Sequence, residues 1–150
     1  MEIGVQFAQI RDCVENDAAT TRAVDASALA GSWVNSNPDS NGIARMEISE
    51  CNGNVTLQVC AIGPDGLIDW GTVDVTVFAS TPLSTVSAGF TCCYDFGFVE
   101  TRLQGMLLKG LMVLAELHTF KDDSKRVDYF VREYFASDHG KYQIGHSRIR

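Results

Sequence analysis

The sequence predicts a mainly all-β fold, an antiparallel up-and-down barrel of seven or eight strands with a short, partly helical N-terminal arm. From Gly31 onward, runs of alternating apolar and polar residues are separated by clusters of turn-forming residues. Most connections are short, and strands joined in this way pair antiparallel, since a parallel crossover needs about a dozen residues or more. Closing such strands into a barrel removes the two exposed edges of the sheet.

The expected strands follow one another along the chain. The first is 31–35, and a loop of turn-forming residues separates it from the second at 43–48. The Asn52-Gly53 pair is typical of a tight hairpin leading to a third strand at 55–61. Alternating valines predict a fourth strand at 73–77. The remaining predicted strands are 86–94, 98–108, 111–119 and 126–135.

The chain divides into three predicted parts. They are an N-terminal arm at 1–29, the barrel domain at 30–136 and a polar C-terminal tail at 137–150. The arm has apolar residues at a loosely helical spacing, and Asp25-Ala26-Ser27 is typical of the start of a helical turn. We expect the arm to lie against the barrel or against a second subunit, so a homodimer is left open. The alternative is a mobile tail, since disorder concentrates at termini.

Length and charge exclude several classes of partner. The chain has 150 residues, enough for one domain with its own core. Its formal net charge of −7 argues against nucleic acid or an anionic membrane, because phosphate binding needs clustered Lys and Arg. No apolar run approaches the ~20 residues of a membrane-spanning helix, and no secretory signal is visible at Met1-Glu2-Ile3. We therefore expect a soluble, cytoplasmic protein.

Neither a metal nor a cofactor is expected. The five cysteines are an odd number without metal-type spacing, and they are typical of reduced thiols in a cytosolic protein. His118, His139 and His146 are spread between a predicted strand and the tail, which argues against a metal site rich in histidine. Phosphate-binding Gly-rich loops, Gly-x-Ser-x-Gly turns and His-Glu-x-x-His motifs are absent from the sequence.

The segment Gly31-Ser32-Trp33-Val34-Asn35 resembles the Gly-x-Trp opening of the lipocalin and avidin type of β-barrel, the calycin group. The resemblance implies an antiparallel barrel enclosing a small apolar or amphipathic ligand. It assigns Trp33 to the closing of one barrel end and Asn35 to ligand binding. The chain departs from the pattern in its long N-terminal arm and in lacking the later tryptophans of an avidin. Other small barrels, including the allene-oxide-cyclase-like kind, are left open.

Glu116 and His118 are the candidate catalytic residues. They lie two positions apart on one face of a predicted strand, at a spacing of about 7 Å along it. A carboxylate at that distance orients an imidazole and raises its basicity, as a general acid or base requires. The alternative is an exposed Glu and His at a strand end.

Further polar and aromatic residues are candidates for binding a ligand. Glu100 and Arg102 share one face of a predicted strand, and Arg132 lies on the last strand. A charged side chain inside a narrow apolar barrel is costly unless it is paired, so a buried one would mark a polar ligand group. Outward-facing ion pairs between strands are the alternative. The aromatic candidates are Trp70, expected at a loop-to-strand junction, and the hydroxyl-bearing Tyr94 and Tyr129.

Two functions from different classes follow from this pattern. The first is a protein that binds a small hydrophobic or amphipathic molecule in a barrel cavity. The alternative is a cofactor-independent barrel enzyme, a cyclase or isomerase of an apolar substrate, for example in secondary metabolism, with acid-base help from Glu116, His118 or an arginine. A purely structural dimerising domain is the third hypothesis. The first two require an interior cavity of roughly 300 Å³ or more.

Overall fold

The structure is a computed structural model that describes residues 23–138. Within that range the chain forms one short 3-10 turn and a single antiparallel sheet of nine strands, numbered β1 to β9. The turn is Ala26–Ala28. The strands are β1 Gly31–Asn35, β2 Ile43–Cys51, β3 Asn54–Gly63, β4 Gly66–Asp74, β5 Thr76–Ala79, β6 Ser87–Asp95, β7 Val99–Leu108, β8 Leu111–Phe120 and β9 Tyr129–Ser137.

The sheet curls into an antiparallel, nearly closed barrel. Its strand order is β4-β3-β2-β1-β9-β8-β7-β6-β5, so β1 and β9 pair and join the two halves of the chain. The two edge strands, β4 and β5, follow each other in sequence and are separated only by Val75. The chain itself therefore links the two edges of the sheet. The all-β antiparallel barrel predicted from the sequence is confirmed at this level.

The predicted number of seven or eight strands was wrong, because the chain changes its partner strand at Val75. Before this residue β4 pairs with β3, and after it β5 pairs with β6. The Val75 N–H still donates to the Val55 carbonyl at 2.9 Å. The alternation of Val73, Val75 and Val77 runs through the break without interruption, so periodicity alone indicates one strand where there are two.

A β-bulge in β4 turns Trp70 toward the interior. Two residues, Trp70 and Gly71, stand opposite the single residue Val59 of β3, between the pairs Gln58↔Thr72 and Cys60↔Asp69. Gly71 has a φ of +85°, which a residue without Cβ adopts readily. The bulge lets both Trp70 and Val73 pack against the core. Trp70 thus lies within a strand and not at the predicted loop junction.

The end of the barrel next to the 3-10 turn is closed. The Asp25 side chain caps the turn by accepting from the Ser27 N–H at 2.9 Å, and the Asp25 N–H donates to Thr85 at 2.7 Å. Leu29 is fully buried, and its carbonyl accepts a 2.8 Å hydrogen bond from Trp33 Nε1. Trp33 is thus anchored beside the turn that closes this end.

This turn is the part of the predicted helical arm that the structure describes. Of the arm predicted to be partly helical over 1–29, residues 23–29 form only the 3-10 turn Ala26–Ala28 and its flanks, and no α-helix. The remainder of the arm, 1–22, and most of the predicted tail, 139–150, lie outside the described residues. Between residues 23 and 138 no helix has the length and apolar character that crossing a membrane requires.

The barrel interior holds a packed apolar core. It arises because buried apolar residues alternate with more exposed residues along each long strand. One face of each strand therefore points into the barrel. The fully buried large apolar residues are Leu29, Ile43, Met46, Ile48, Leu57, Val59, Leu103, Met112, Leu114 and Phe135. This packed core ends below a cavity that lies near the barrel end opposite the turn.

Candidate functional site

A cavity of about 570 Å³ opens at the barrel end opposite the turn. It lies between the loop 36–42, the hairpin of β3 and β4, and the pair formed by the end of β8 and the start of β9. We call it the mouth cavity. Its volume exceeds the roughly 300 Å³ expected of a ligand site. The space is therefore sufficient for one small molecule.

The mouth cavity has two walls of different chemistry. One wall is apolar and comes from β2, β3 and β4, and the other is polar and comes from β8 and β9. The apolar wall comprises Ile43, Ala61, Ile62, Ile68 and Trp70. The polar wall comprises Glu116, His118, Tyr129, Arg132 and Glu133, with the apolar Val131 among them.

Glu116 and His118 both point into the barrel. They continue the inward-facing row of β8 that begins with Met112 and Leu114, and their exposed fractions are only 2% and 8%. Glu116 Oε1 lies 3.4 Å from His118 Nε2. The two residues predicted to share a face therefore form a buried pair.

His118 is held at one face of its ring and along the ring edge. Its Nδ1 shares a 2.9 Å hydrogen bond with Thr101 Oγ1, whose direction follows the ring tautomer. Its ring stacks on Tyr129 with the ring centroids 4.3 Å apart. Thr101 stands directly opposite His118 in the β7–β8 pairing. Sequence reasoning missed Thr101, because its partner depends on a register that alternation does not reveal.

Glu133 is the second carboxylate of the polar wall, and it was not among the predicted site residues. Asn35 Nδ2 donates to Glu133 and to the Ile43 carbonyl, the latter at 2.8 Å. Ser40 Oγ donates to Glu133 Oε2 at 2.6 Å. A signal was available: Glu133 is the one charged residue on the inward face of β9, among Tyr129, Val131 and Phe135.

The two carboxyl groups have pKa values shifted in opposite directions. Burial raises the pKa of Glu116 to about 6; the hydrogen bond with His118 opposes this rise, and the neighbouring Glu133 adds to it. Burial would also raise the pKa of Glu133, but hydrogen bonds from Glu116, Ser40 and Asn35 outweigh it and lower that pKa. The environment therefore gives Glu116 the higher pKa of the two and Glu133 the lower.

One buried oxygen of this site lacks a partner. Glu116 Oε2 is inaccessible to solvent and accepts no hydrogen bond from the residues that the structure describes. A buried acceptor without a donor costs free energy on the order of 1–3 kcal/mol. A donor supplied from the mouth cavity would remove that cost.

Tyr94, a predicted ligand residue, is engaged in the fold. Its hydroxyl lies 2.8 Å from the Gly71 carbonyl and 3.2 Å from the Leu57 carbonyl, so it reaches from β6 to the backbone of β4 and β3. Burial raises its pKa. Its ring also contacts Trp70, with the ring centroids 5.4 Å apart. Tyr94 supports Trp70 and does not line the mouth cavity.

The charged candidates lie on the outer surface. Arg102 and Glu100 point outward from β7 and form an ion pair of 3.4 Å that solvent reaches on both sides. Arg132 belongs to the outward-facing, exposed row of β9, although it contributes to the rim of the mouth cavity. Trp33 lies at the closed end, and Asn35 acts on the site through Glu133.

Within 23–138 no three His, Cys, Asp or Glu side chains converge in a way that would hold a metal ion. Comparison with protein-family models, with curated proteins and with solved structures finds no match to this chain. The chemistry of the mouth cavity is therefore interpreted from its own residues.

Proposed function

We propose that this barrel binds a small amphipathic molecule in the mouth cavity. The observation that carries the proposal is the division of the cavity into an apolar wall and a polar wall. A molecule with an apolar body and one polar end matches both walls in a single orientation. This reading agrees with the calycin resemblance, which implies an enclosed small ligand.

Each wall supplies a different part of the binding free energy. In the free protein Ile68 is 49% exposed and Trp70 is half-buried, so a ligand body would remove further apolar surface from water. Such burial stabilises a complex by about 25 cal/mol for each Å². The polar wall offers Glu116, His118 and Glu133, which orient the ligand by hydrogen bonds.

Binding is tested with a panel of three molecules that share a phenylethyl body and differ in the polar end: 2-phenylethanol, 2-phenylethylamine and 3-phenylpropionate. We expect at least one of them to raise the melting temperature and to give a saturable calorimetric isotherm. Ile68→Ser should weaken that binding about fivefold, since it removes about 1 kcal/mol of apolar contact.

Leu67→Ser is the matched control for this test. Leu67 is next to Ile68 in the same hairpin, is 57% exposed and does not line the mouth cavity. It should leave the affinity unchanged. Failure of all three molecules to bind, or an equal loss in both variants, would contradict the proposal.

A second candidate function is a cofactor-independent enzyme, a cyclase or isomerase. It is favoured by the buried pair of Glu116 and His118, because a carboxyl with a pKa of about 6 next to an imidazole can exchange a proton near neutral pH. Glu116→Gln should then abolish turnover of a substrate while the substrate still binds. An unchanged rate in Glu116→Gln and in His118→Ala would exclude this mechanism.

A further inference from the structure

Two carboxyl groups lie at the mouth cavity without an ion-pair partner among the lysines and arginines of residues 23–138. Of the ion pairs formed within 23–138, none joins Glu116 or Glu133 to a lysine or an arginine. Glu116 interacts with His118, which lies 3.4 Å from Oε1, and with the neighbouring Glu133. A buried carboxyl group beside a half-buried one, with no lysine or arginine paired to either, is unusual, because buried charges are normally paired.

The hydrogen bonds of the two carboxylates differ in completeness. Glu133 accepts from Asn35 and Ser40 and is satisfied as an anion. Glu116 Oε2 is buried and accepts from no described residue. Glu133 thus has its hydrogen-bond donors, whereas the neighbouring Glu116 Oε2 still lacks one.

We propose that the polar end of the ligand is a protonated amine that binds between Glu116 and Glu133. This inference rests on the proposed binding function and specifies its ligand class, an organic cation with a compact apolar body. An ammonium group brings three donors and a positive charge, so it donates to Glu116 Oε2 and at the same time offsets part of the negative charge of the two carboxyl groups. A neutral polar end would supply the donor without the charge.

The two carboxyl groups disfavour an acidic ligand. A carboxylate or phosphate end would meet the ionised Glu133 at short range and would offer no donor to Glu116. Arg132 does not reverse this preference, because it is exposed and belongs to the outward-facing row of β9, where solvent screens its charge.

The aromatic residues of the cavity fit the body of such a cation. Trp70 belongs to the apolar wall, and Tyr129 lies at the polar wall with its ring stacked on His118. The faces of aromatic rings attract cations and also bury apolar groups. An aromatic or short alkyl amine therefore finds compatible surface on both sides of the cavity.

The experiment compares 2-phenylethylamine with 2-phenylethanol and 3-phenylpropionate by calorimetry on the full chain at pH 7.5. We expect the amine to bind at least about tenfold tighter than the alcohol, the advantage of a charge-assisted hydrogen bond, and the carboxylate to bind most weakly. Binding of the alcohol or the carboxylate at least as tight as that of the amine would overturn the inference and leave the proposed function standing. No binding of any of the three would overturn both.

Variants of Glu116 and Glu133 test whether the preference for an amine depends on these two residues. Glu116→Gln should lower the affinity for the amine about tenfold and lower the affinity for the alcohol by much less, because the alcohol loses no charge-assisted contact. Glu133→Gln should act in the same direction and serves in place of Glu116→Gln if that variant does not fold. Glu50→Gln, an exposed site at the far end of β2, is the control for net charge. Equal amine affinities in all these variants and the original protein would overturn the inference.

Discussion

Asn35 and Glu133 lie 98 residues apart in sequence and are hydrogen bonded through Asn35 Nδ2 where β1 meets β9. This contact connects the strand pairing that nearly closes the barrel with the polar wall of the mouth cavity. The Asn35 side chain also accepts from the Asn37 N–H at 2.8 Å and so shapes the loop above the cavity. One buried amide thus supports both the fold and the candidate site.

Asn35→Ala should destabilise the protein by about 1–3 kcal/mol, because it leaves the Ile43 carbonyl and Glu133 with fewer donors in a partly buried place. The variant should also raise the pKa of Glu133, which Asn35 helps to lower. Urea unfolding measures the first effect, and carboxyl titration by NMR measures the second. Asn41→Ala, at an exposed position of the same loop, is the control and should change neither quantity.

Tyr94→Phe should destabilise the protein by about 1–3 kcal/mol, because it removes the hydroxyl that is hydrogen bonded from β6 to carbonyls of β3 and β4. Those carbonyls would then lack a buried donor. These bonds cross the place where the two sheet edges approach, so the loss weakens the near-closure of the barrel. Tyr134→Phe on the exposed outer face of β9 provides the comparison. Equal unfolding free energies for the two variants would show that the Tyr94 hydroxyl does not hold the edges together.

The stability of the protein should fall as pH rises from 4.5 to 6. In this window the folded state keeps a proton on Glu116, whose pKa is raised from 4.5 to about 6, while the unfolded state loses it. The total decrease amounts to about 2 kcal/mol. Glu133, with its lowered pKa, has the opposite effect, but only below its ordinary value of 4.5.

Urea unfolding of the original protein and of Glu116→Gln between pH 4 and pH 7.5 measures this dependence. The difference between the two unfolding free energies should change by about 2 kcal/mol across the window, since Gln does not titrate. Glu50→Gln should retain the pH dependence of the original protein. Parallel curves for the original protein and Glu116→Gln would contradict the raised pKa.

Alternation in the sequence predicted the class of the fold and most of its strands. The inward row of β8 and the shared face of Glu116 and His118 follow directly from a period of two residues. The break at Val75 does not, because a change of partner strand leaves the alternation intact. Gly71 is a further example, since its role in the bulge depends on a residue of the neighbouring strand.

The candidate site was predictable only in part for the same reason. Thr101 approaches His118 because of the register between β7 and β8. Glu133 approaches Asn35 and Glu116 because β9 lies between β1 and β8. Those relationships are long-range, and no local pattern encodes them. Charged residues such as Arg102 were candidates because the sequence does not say which face of a strand points inward. The expected homodimer stays a prediction.

The most direct test of a ligand site at the mouth is an NMR titration of isotope-labelled protein with 2-phenylethylamine. We predict saturable shifts of backbone amides around the mouth cavity, at Ile43, Ala61, Ile68, Glu116 and Val131, and none at the closed end near Ala26 and Leu29. Shifts confined to the closed end or to the outer face, or the absence of any saturable shift, would contradict the account.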